Sequence, residues 1–525
     1  MSLDKKVYKS FESVVGPENI SDAPAVLRSY MYQPFGNNKG VWADISPEAV
    51  LMPASTEEVV AIAKICNRHH IVFKAMSTGW GIHNLPGVEG AVLMDLRRMN
   101  RILEIDEKNM FAVVEPHVIC MQLQVEAMKK GLNCHIIGAG SNTSVLASAT
   151  SVAGYGPDGL SMGHSGRNLL GVEWVLPTGE VLKLGSLGAD AGWFCGDGPG
   201  PSMRGIMRGW EGAWGGLGVF TKCAVKLFHW NGPSELEMKN APPNYVLKEP
   251  LQFFKASLFS FPSLDQLAEA AYKLGESEIG YFICRLTPAF VGLQMTSGKN
   301  YVDMWQSGMM QQVLKYGFLF VIFANSEREF DYQQKVLAQI LEETGGQASP
   351  ISETKEMQEQ IATTVLKVDA VVRSCFRSAG GFNTSFGAMD TVDLAINQIK
   401  AGAGLKEKYI KRGVIMDDGG DNSATLLFEQ GHLAYTEVLV MYDHHDGESA
   451  QGAFEYLAES NEICLKQGLG PPIFQISQVG MGKHGVFGPV CFNYDAWLRE
   501  IKKELDPNNV CDPTAYISPE ERERE

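Results

Sequence analysis

The chain has 525 residues, 45% of them hydrophobic and 20% charged, with a formal net charge of −16. That length exceeds what one compact core holds and points to two or three domains with room for a cofactor between them, while the ordinary composition excludes a disordered or fibrous protein. The acidic balance, unbroken by any cluster of Lys and Arg, opposes binding to nucleic acid or to an anionic membrane surface.

Residues 1–16 alternate charged and apolar side chains without an apolar stretch of signal-peptide length. The strongest apolar run, 318–324, is too short to span a bilayer, so a cytoplasmic location is expected. Ten cysteines are scattered with no pair at C-x-x-C spacing. Reduced, buried thiols fit that scatter better than a disulfide frame, a zinc site or an iron–sulfur cluster.

In chain order, 52–68 reads as a loop and then an amphipathic helix. Ser55 with Glu58 three residues on makes a capping box, and Val59, Ile62, Ala63 and Cys66 keep one face apolar. Short segments rich in Val, Ile, Leu and Phe follow at 71–75, 91–96, 101–106 and 111–118, parted by turn residues, and predict strands of a small mixed sheet. A helix over 121–130 stops at Gly131, which suits the left-handed position after a helix. From 141 to 228 the chain turns glycine-rich, broken by a strand pair over 171–184 around Pro177-Thr178-Gly179 and by an apolar strand over 218–228. The Pro-, Asn- and Lys-rich stretch 231–250 lacks periodicity and reads as a linker. Beyond it, strand-like 257–261, 318–324 and 436–442 are each followed by a helix-like segment, at 264–274, 332–343 and 451–468. Such alternation builds a sheet covered by helices on one side. A last amphipathic helix over 494–504 precedes Leu505-Asp506-Pro507-Asn508-Asn509 and a charged tail.

The most informative segment is Phe73-Lys74-Ala75-Met76-Ser77-Thr78-Gly79-Trp80-Gly81-Ile82-His83-Asn84. A strand enters a loop of small residues whose glycines let successive backbone N–H groups converge, which holds a pyrophosphate without a side-chain cation. A Rossmann unit would start a helix here, but Leu85-Pro86-Gly87 breaks the chain and an apolar strand follows. Taken alone, the loop reads first as a plain strand-to-strand connection.

Together with Val92-Leu93-Met94-Asp95-Leu96, Ala112-Val113-Val114-Glu115-Pro116, the hairpin from Gly171 to Glu180, Gly216-Leu217-Gly218-Val219 and the terminal Asp512-Pro513, the loop resembles the FAD-binding domain of the vanillyl-alcohol oxidase and p-cresol methylhydroxylase flavoprotein superfamily. The likeness runs over roughly 45–230 and 480–515. It implies an α+β protein: a two-part FAD-binding domain of mixed sheets and helices over 1–235, an α+β cap over 236–475, and a C-terminal segment, 476–525, that returns to the first domain. By the same likeness FAD lies extended. Ser77, Thr78, Gly79, Trp80, Gly81 and His83 meet its pyrophosphate side, Thr143, Ser144, Val145, Ser148 and Gly154 line the flavin, and Gly218 and Val219 lie near the adenine.

Three side chains are compared with catalytic positions of the family. His484, in Lys483-His484-Gly485-Val486-Phe487-Gly488, and His432, after Gly431, resemble parts of the metal-binding stretches of the hydroxy-acid branch. Ala434, Tyr435 and Leu439 stand where further ligands would be needed, and Lys483 replaces a glutamate, so no metal is expected. Glu429, Glu437 and Asp443 would serve such a site only if the cap folds them toward the flavin. Asp158, before Gly159, aligns with a flavin-side carboxylate of the aromatic-alcohol branch and equally suits a turn. His164 and Arg167 lie in the next loop.

The resemblance implies an FAD-dependent dehydrogenase or oxidase that takes a hydride from a small alcohol, hydroxy acid or alkylphenol, with His484, Asp158 or His432 as the base. Oxygen or a redox partner protein is the expected electron acceptor, and the assembly is expected to be a homo-oligomer. The alternatives are a flavoprotein electron-transfer subunit without its own substrate, and a flavin-free binding module.

Overall fold

The computed structural model describes the chain apart from residues 1–2, 38–39, 43–44, 80–83, 139, 152–153, 198–201, 209–212, 241–245, 288–297, 309–310, 312–315, 367–379, 420–422, 473–482 and 519–525. The N-terminal half is built on two main sheets. In the first, strands Ala49–Leu51 and Phe73–Met76 flank Val92–Asp95, both parallel to it, and the short strand Ile20–Ser21 closes the edge. Helix Thr56–His69 covers this sheet. Ser55 Oγ accepts from Glu58 N at 3.3 Å, and Val59, Ile62, Ala63 and Cys66 are fully buried against Val92, Met94 and Phe73. The alternation at the N-terminus, which carried no assignment in the sequence, forms a further helix, Lys5–Val15. Its Val7, Phe11 and Val15 enter the same core.

The second sheet is antiparallel, in the order Val181–Leu184, Leu169–Val175, Val219–Lys226, Phe111–Val114, Ile102–Asp106. Leu169–Val175 is buried at every position, as a central strand with both faces covered must be. Trp174 lies in its core and uses its indole N–H on Leu217 O at 2.8 Å, so the largest side chain of the cluster leaves no donor unsatisfied.

The C-terminal half is built on an eight-stranded antiparallel sheet whose central order is Phe254–Ser260, Gly317–Phe323, Phe282–Leu286, Ser423–Phe428, Leu433–Asp443, Gly380–Ser385. Helices Leu264–Glu276, Glu327–Thr344, Val392–Lys411 and Gly447–Gln467 pack on one face of it. The expected helix-covered sheet is present. The other face carries Ala256, Leu258, Phe282, Cys284, Leu319, Val321, Phe428 and Tyr435, and meets Tyr155 of the N-terminal half and helix Lys355–Val365.

The Ser423–Phe428 to Leu433–Asp443 hairpin fastens the two halves. At its tip Glu429 and Gln430 take φ of 51° and 54°, and their N–H groups donate to Gly159 O (3.1 Å) and Leu160 O (3.0 Å). Glu429 also pairs with Arg167. Two successive non-glycine residues in the left-handed region cost of order 1–3 kcal/mol each, which persists only where the surroundings hold them. Gly159 has to be glycine, since a Cβ there would overlap the Phe428 ring.

Candidate functional site

Strand Phe73–Met76 delivers Ser77, Thr78 and Gly79 at the end of a parallel pair. Gly79 has φ 69°, and Asn84 Nδ2 donates to its carbonyl at 2.8 Å, closing the loop on itself. A side chain at Gly79 would be strained there, and a left-handed glycine in a loop of small residues is the kind of backbone that can turn N–H groups toward an anion. Trp80, Gly81 and His83 lie outside the described residues.

The second glycine-rich region folds around Gly154. Its N–H donates to Ser148 O (3.0 Å), its carbonyl accepts from Ser165 N (2.9 Å), and Gly138 N donates to Tyr155 O at 2.6 Å. The neighbouring hydroxyls turn inward. Thr143 Oγ1 donates to Gly140 O (2.8 Å), Ser144 Oγ to Pro116 O (2.6 Å) and Ser148 Oγ to Ser144 O (2.6 Å). Val145 is buried in the core. Backbone and small surfaces, not hydroxyls, are therefore what this region offers a flat ring. Val219 too is a core residue, and the N–H of Gly218 is taken by Cys511 Sγ at 3.0 Å.

Asp158 is buried. Oδ1 lies 2.7 Å from His135 Nδ1, and Oδ2 accepts from Ile136 N at 3.0 Å. His135 Nε2 in turn lies 3.3 Å from Gly154 O. The carboxylate thus braces the loop that carries Gly154 and Tyr155. His135 was missed by sequence reasoning, because nothing local marks a histidine whose partner is 23 positions away. His432 is exposed at the hairpin tip. His484 is half-buried in the short helix Lys483–Phe487, with Nδ1 3.1 Å from Tyr494 Oη. Tyr494 packs on the cluster that fills the helix-covered side of the cap sheet. The structure therefore does not gather the three candidates: Asp158 is at the seam, His432 at its rim and His484 with the outer layer.

The seam has an acid of its own. Side chains two apart on a strand share a face, so Glu437 points the same way as Tyr435, which stacks on Tyr155 with ring centroids 4.7 Å apart. Tyr155 also touches His164 and Phe428 at 5.5 and 5.7 Å. Glu437 itself is half-buried on that face. Burial pushes its carboxyl up to about 7, opposed by the nearby Tyr435 hydroxyl. A carboxyl titrating near neutrality can exchange a proton with a bound alcohol or phenol. Register carried the missing signal: Glu437 pairs with Ala424, and both neighbours, Thr436 and Val438, are buried toward the helices.

Among the described residues no three His, Cys, Asp or Glu side chains are grouped to hold a metal ion, and no helix is long and apolar enough to cross a membrane.

Residues 47–185 match the model of a family described as an FAD binding domain. The chain is 29% identical over 229 residues to glycolate oxidase subunit GlcD of Bacillus subtilis, covering 43% of this chain and 45% of that protein. It is 24% identical over 363 residues to a probable mitochondrial D-lactate dehydrogenase of Danio rerio, covering 68% and 63%. The chain thus spans about half to two thirds of the curated relatives it matches. Among solved structures, substrate-bound p-cresol methylhydroxylase superposes with a TM-score of 0.75 at 18% identity, covering 97% of this chain and 96% of that one.

Proposed function

We propose that this chain, which carries an FAD-binding domain in the p-cresol methylhydroxylase fold, is an FAD-dependent oxidoreductase acting on a small alcohol, hydroxy acid or alkylphenol-type substrate. The observation that carries this reading is Glu437, a near-neutral acid on the cap-sheet face that meets the Gly154 loop through Tyr435 and Tyr155.

Bound FAD supplies the acceptor for the two electrons that leave substrate carbon as a hydride. Ser77, Thr78, Gly79, Trp80, Gly81 and His83 would hold the pyrophosphate side. Thr143, Ser144, Val145, Ser148 and Gly154 would line the flavin, and Gly218 with Val219 would lie toward the adenine end. Glu437, ionised, takes the hydroxyl proton as the carbonyl forms. Asp158 and His135 keep the Gly154 loop in place, and the apolar ring of Tyr155, Phe428 and Tyr435 limits water around the carboxylate, which keeps its proton affinity high. Oxygen or a redox partner protein would be the final electron acceptor.

A subunit that only relays electrons has no use for a near-neutral carboxylate on the cap-sheet face that meets Tyr155, so Glu437 favours the enzyme over that alternative. Anaerobic addition of alcohols, 2-hydroxy acids and alkylphenols to the purified protein, in buffer with excess chelator, is expected to bleach the flavin with at least one class. If none reduces it while a chemical reductant does, the relay reading replaces this one. Bleaching that appears only after a divalent metal is restored would revive the metal-dependent hydroxy-acid chemistry that Ala434, Tyr435 and Leu439 argue against.

A further inference from the structure

Behind the phosphate loop lies a set of buried charges that the reaction does not use. Lys74, in the strand that feeds the loop, is 1% exposed. Its Nζ donates to Trp214 O at 2.7 Å and lies 3.4 Å from Asp512 Oδ2. Burial pushes the ammonium down, and Asp512 opposes that shift. Asp512 arrives from the far end of the chain, in a segment laid beside Phe73: Phe73 N donates to Val510 O (2.8 Å) and Asp512 N to Phe73 O (3.0 Å). The Asp512 carboxylate also accepts from Thr514 N (3.1 Å), Thr514 Oγ1 (2.8 Å) and Gly87 N (3.3 Å). Lys74 precedes the phosphate loop and Gly87 follows it, so one carboxylate grips both ends.

The same segment fixes a second stretch of chain. Trp214 O is held by Lys74, Gly215 O lies 3.1 Å from Cys511 Sγ, and Gly216 O accepts from Lys502 Nζ at 2.8 Å. Gly218 N donates to Cys511 Sγ at 3.0 Å. Lys502 also donates to Asp506 Oδ2 and Cys511 O, both at 2.6 Å, and is fully buried. Carbonyls of three successive residues, 214 to 216, thus end on side chains or strands tied to the C-terminal segment. A buried ion pair is a poor device for stability, since an apolar pair of similar volume usually does as well. What charges provide in return is a fixed direction for backbone dipoles.

We propose that Asp512 is a positioning residue for FAD: with Lys74 it makes the C-terminal segment 505–517 a clamp on both ends of the phosphate loop, which is shaped for pyrophosphate only when that segment is docked. The inference rests on FAD lying against the loop at Gly79. Coupling is reciprocal, so bound FAD must in turn hold the segment down.

The test uses the full-length protein in three forms: wild type, Asp512→Asn and the double variant Lys74→Met with Asp512→Leu, which removes both charges together. For each, FAD affinity is titrated on the apoprotein, apoprotein melting is recorded, and hydrogen exchange of peptides covering 85–90 and 505–517 is followed with and without FAD. In the wild type FAD is expected to slow exchange in both peptides. Both variants are expected to bind FAD roughly tenfold or more weakly, while the double variant melts close to the wild type without FAD. Should Asp512→Asn not fold, the double variant carries the comparison. FAD affinity within twofold of wild type in the double variant, or exchange of 505–517 indifferent to FAD in the wild type, overturns the clamp and leaves the FAD reading standing. A wild type that binds no FAD at all overturns both.

Discussion

Glu437→Gln is expected to leave FAD bound but slow flavin reduction by roughly two to four orders of magnitude, the usual contribution of a positioned base. The amide keeps the size of the side chain and its place opposite Ala424 but cannot accept the substrate proton. In the wild type the rate should rise with pH through about 7, where the carboxyl gives up its proton, and level off above. That rise should vanish in the variant. The hydroxyls of Tyr155 and Tyr435, which burial pushes far above neutrality, do not produce it, and its loss in Glu437→Gln separates it from any contribution of the His164 ring that packs on Tyr155.

Stability gives an independent readout with the opposite sign. The folded state holds the Glu437 proton up to about pH 7, whereas the ordinary value is 4.5. The folded form therefore binds more protons in that window, and stability present below pH 4.5 is lost as pH rises to about 7. At pH above that window Glu437→Gln should be more stable than wild type, by something on the order of 1–3 kcal/mol. A variant that is slower and yet more stable marks a functional carboxylate. A rate loss below threefold, or a fall in stability, would make Glu437 a packing residue.

Gly79→Val is expected to give folded protein without flavin. The position has φ 69°, and a Cβ would meet Met76 Sδ at 3.3 Å, tight but not an overlap. The cost falls on the loop: a β-branched residue in the left-handed region is strained by about 1–3 kcal/mol, and its relaxation would turn the backbone N–H groups away from the pyrophosphate. A weakening of FAD binding on the order of a hundredfold follows from strain of that size acting on the bound shape. Gly131→Ala is the control, with the same φ of 70° and open space around it. It should lose about 1 kcal/mol of stability and keep its flavin. Full FAD occupancy in Gly79→Val would move the phosphate site elsewhere.

Local pattern was enough for much of the fold. The capping box at Ser55, the period of Val59, Ile62, Ala63 and Cys66, and the turn at Gly179 specify structure within a few residues of themselves, and each stands where it was read. The strand before Gly79 and the left-handed glycine in the loop were legible for the same reason. The site was less so. Glu437 becomes a seam residue only through the register of Leu433–Asp443 against its neighbours and the stacking of Tyr435 on Tyr155, and the second of these joins residues far apart in the chain. Asp158 looked like a turn residue or a catalytic acid, and its partner His135 was invisible until the chain folded. His484 drew notice through its glycine-rich surroundings, yet its helix docks on Tyr494 in the outer layer. The N-terminal helix escaped because its alternating charged residues obscured Val7, Phe11 and Val15, four apart on one buried stripe.

The most direct measurement of the account is the flavin content of the purified chain, read from its visible absorbance and from the nucleotide released on denaturation or, if none is released, retained on the protein. The predicted result is one FAD per chain, bleached anaerobically by an oxidisable substrate. A colourless protein that takes up no FAD on reconstitution would contradict it, and with it the assignment of the Gly79 loop and the Gly154 wall as a flavin site.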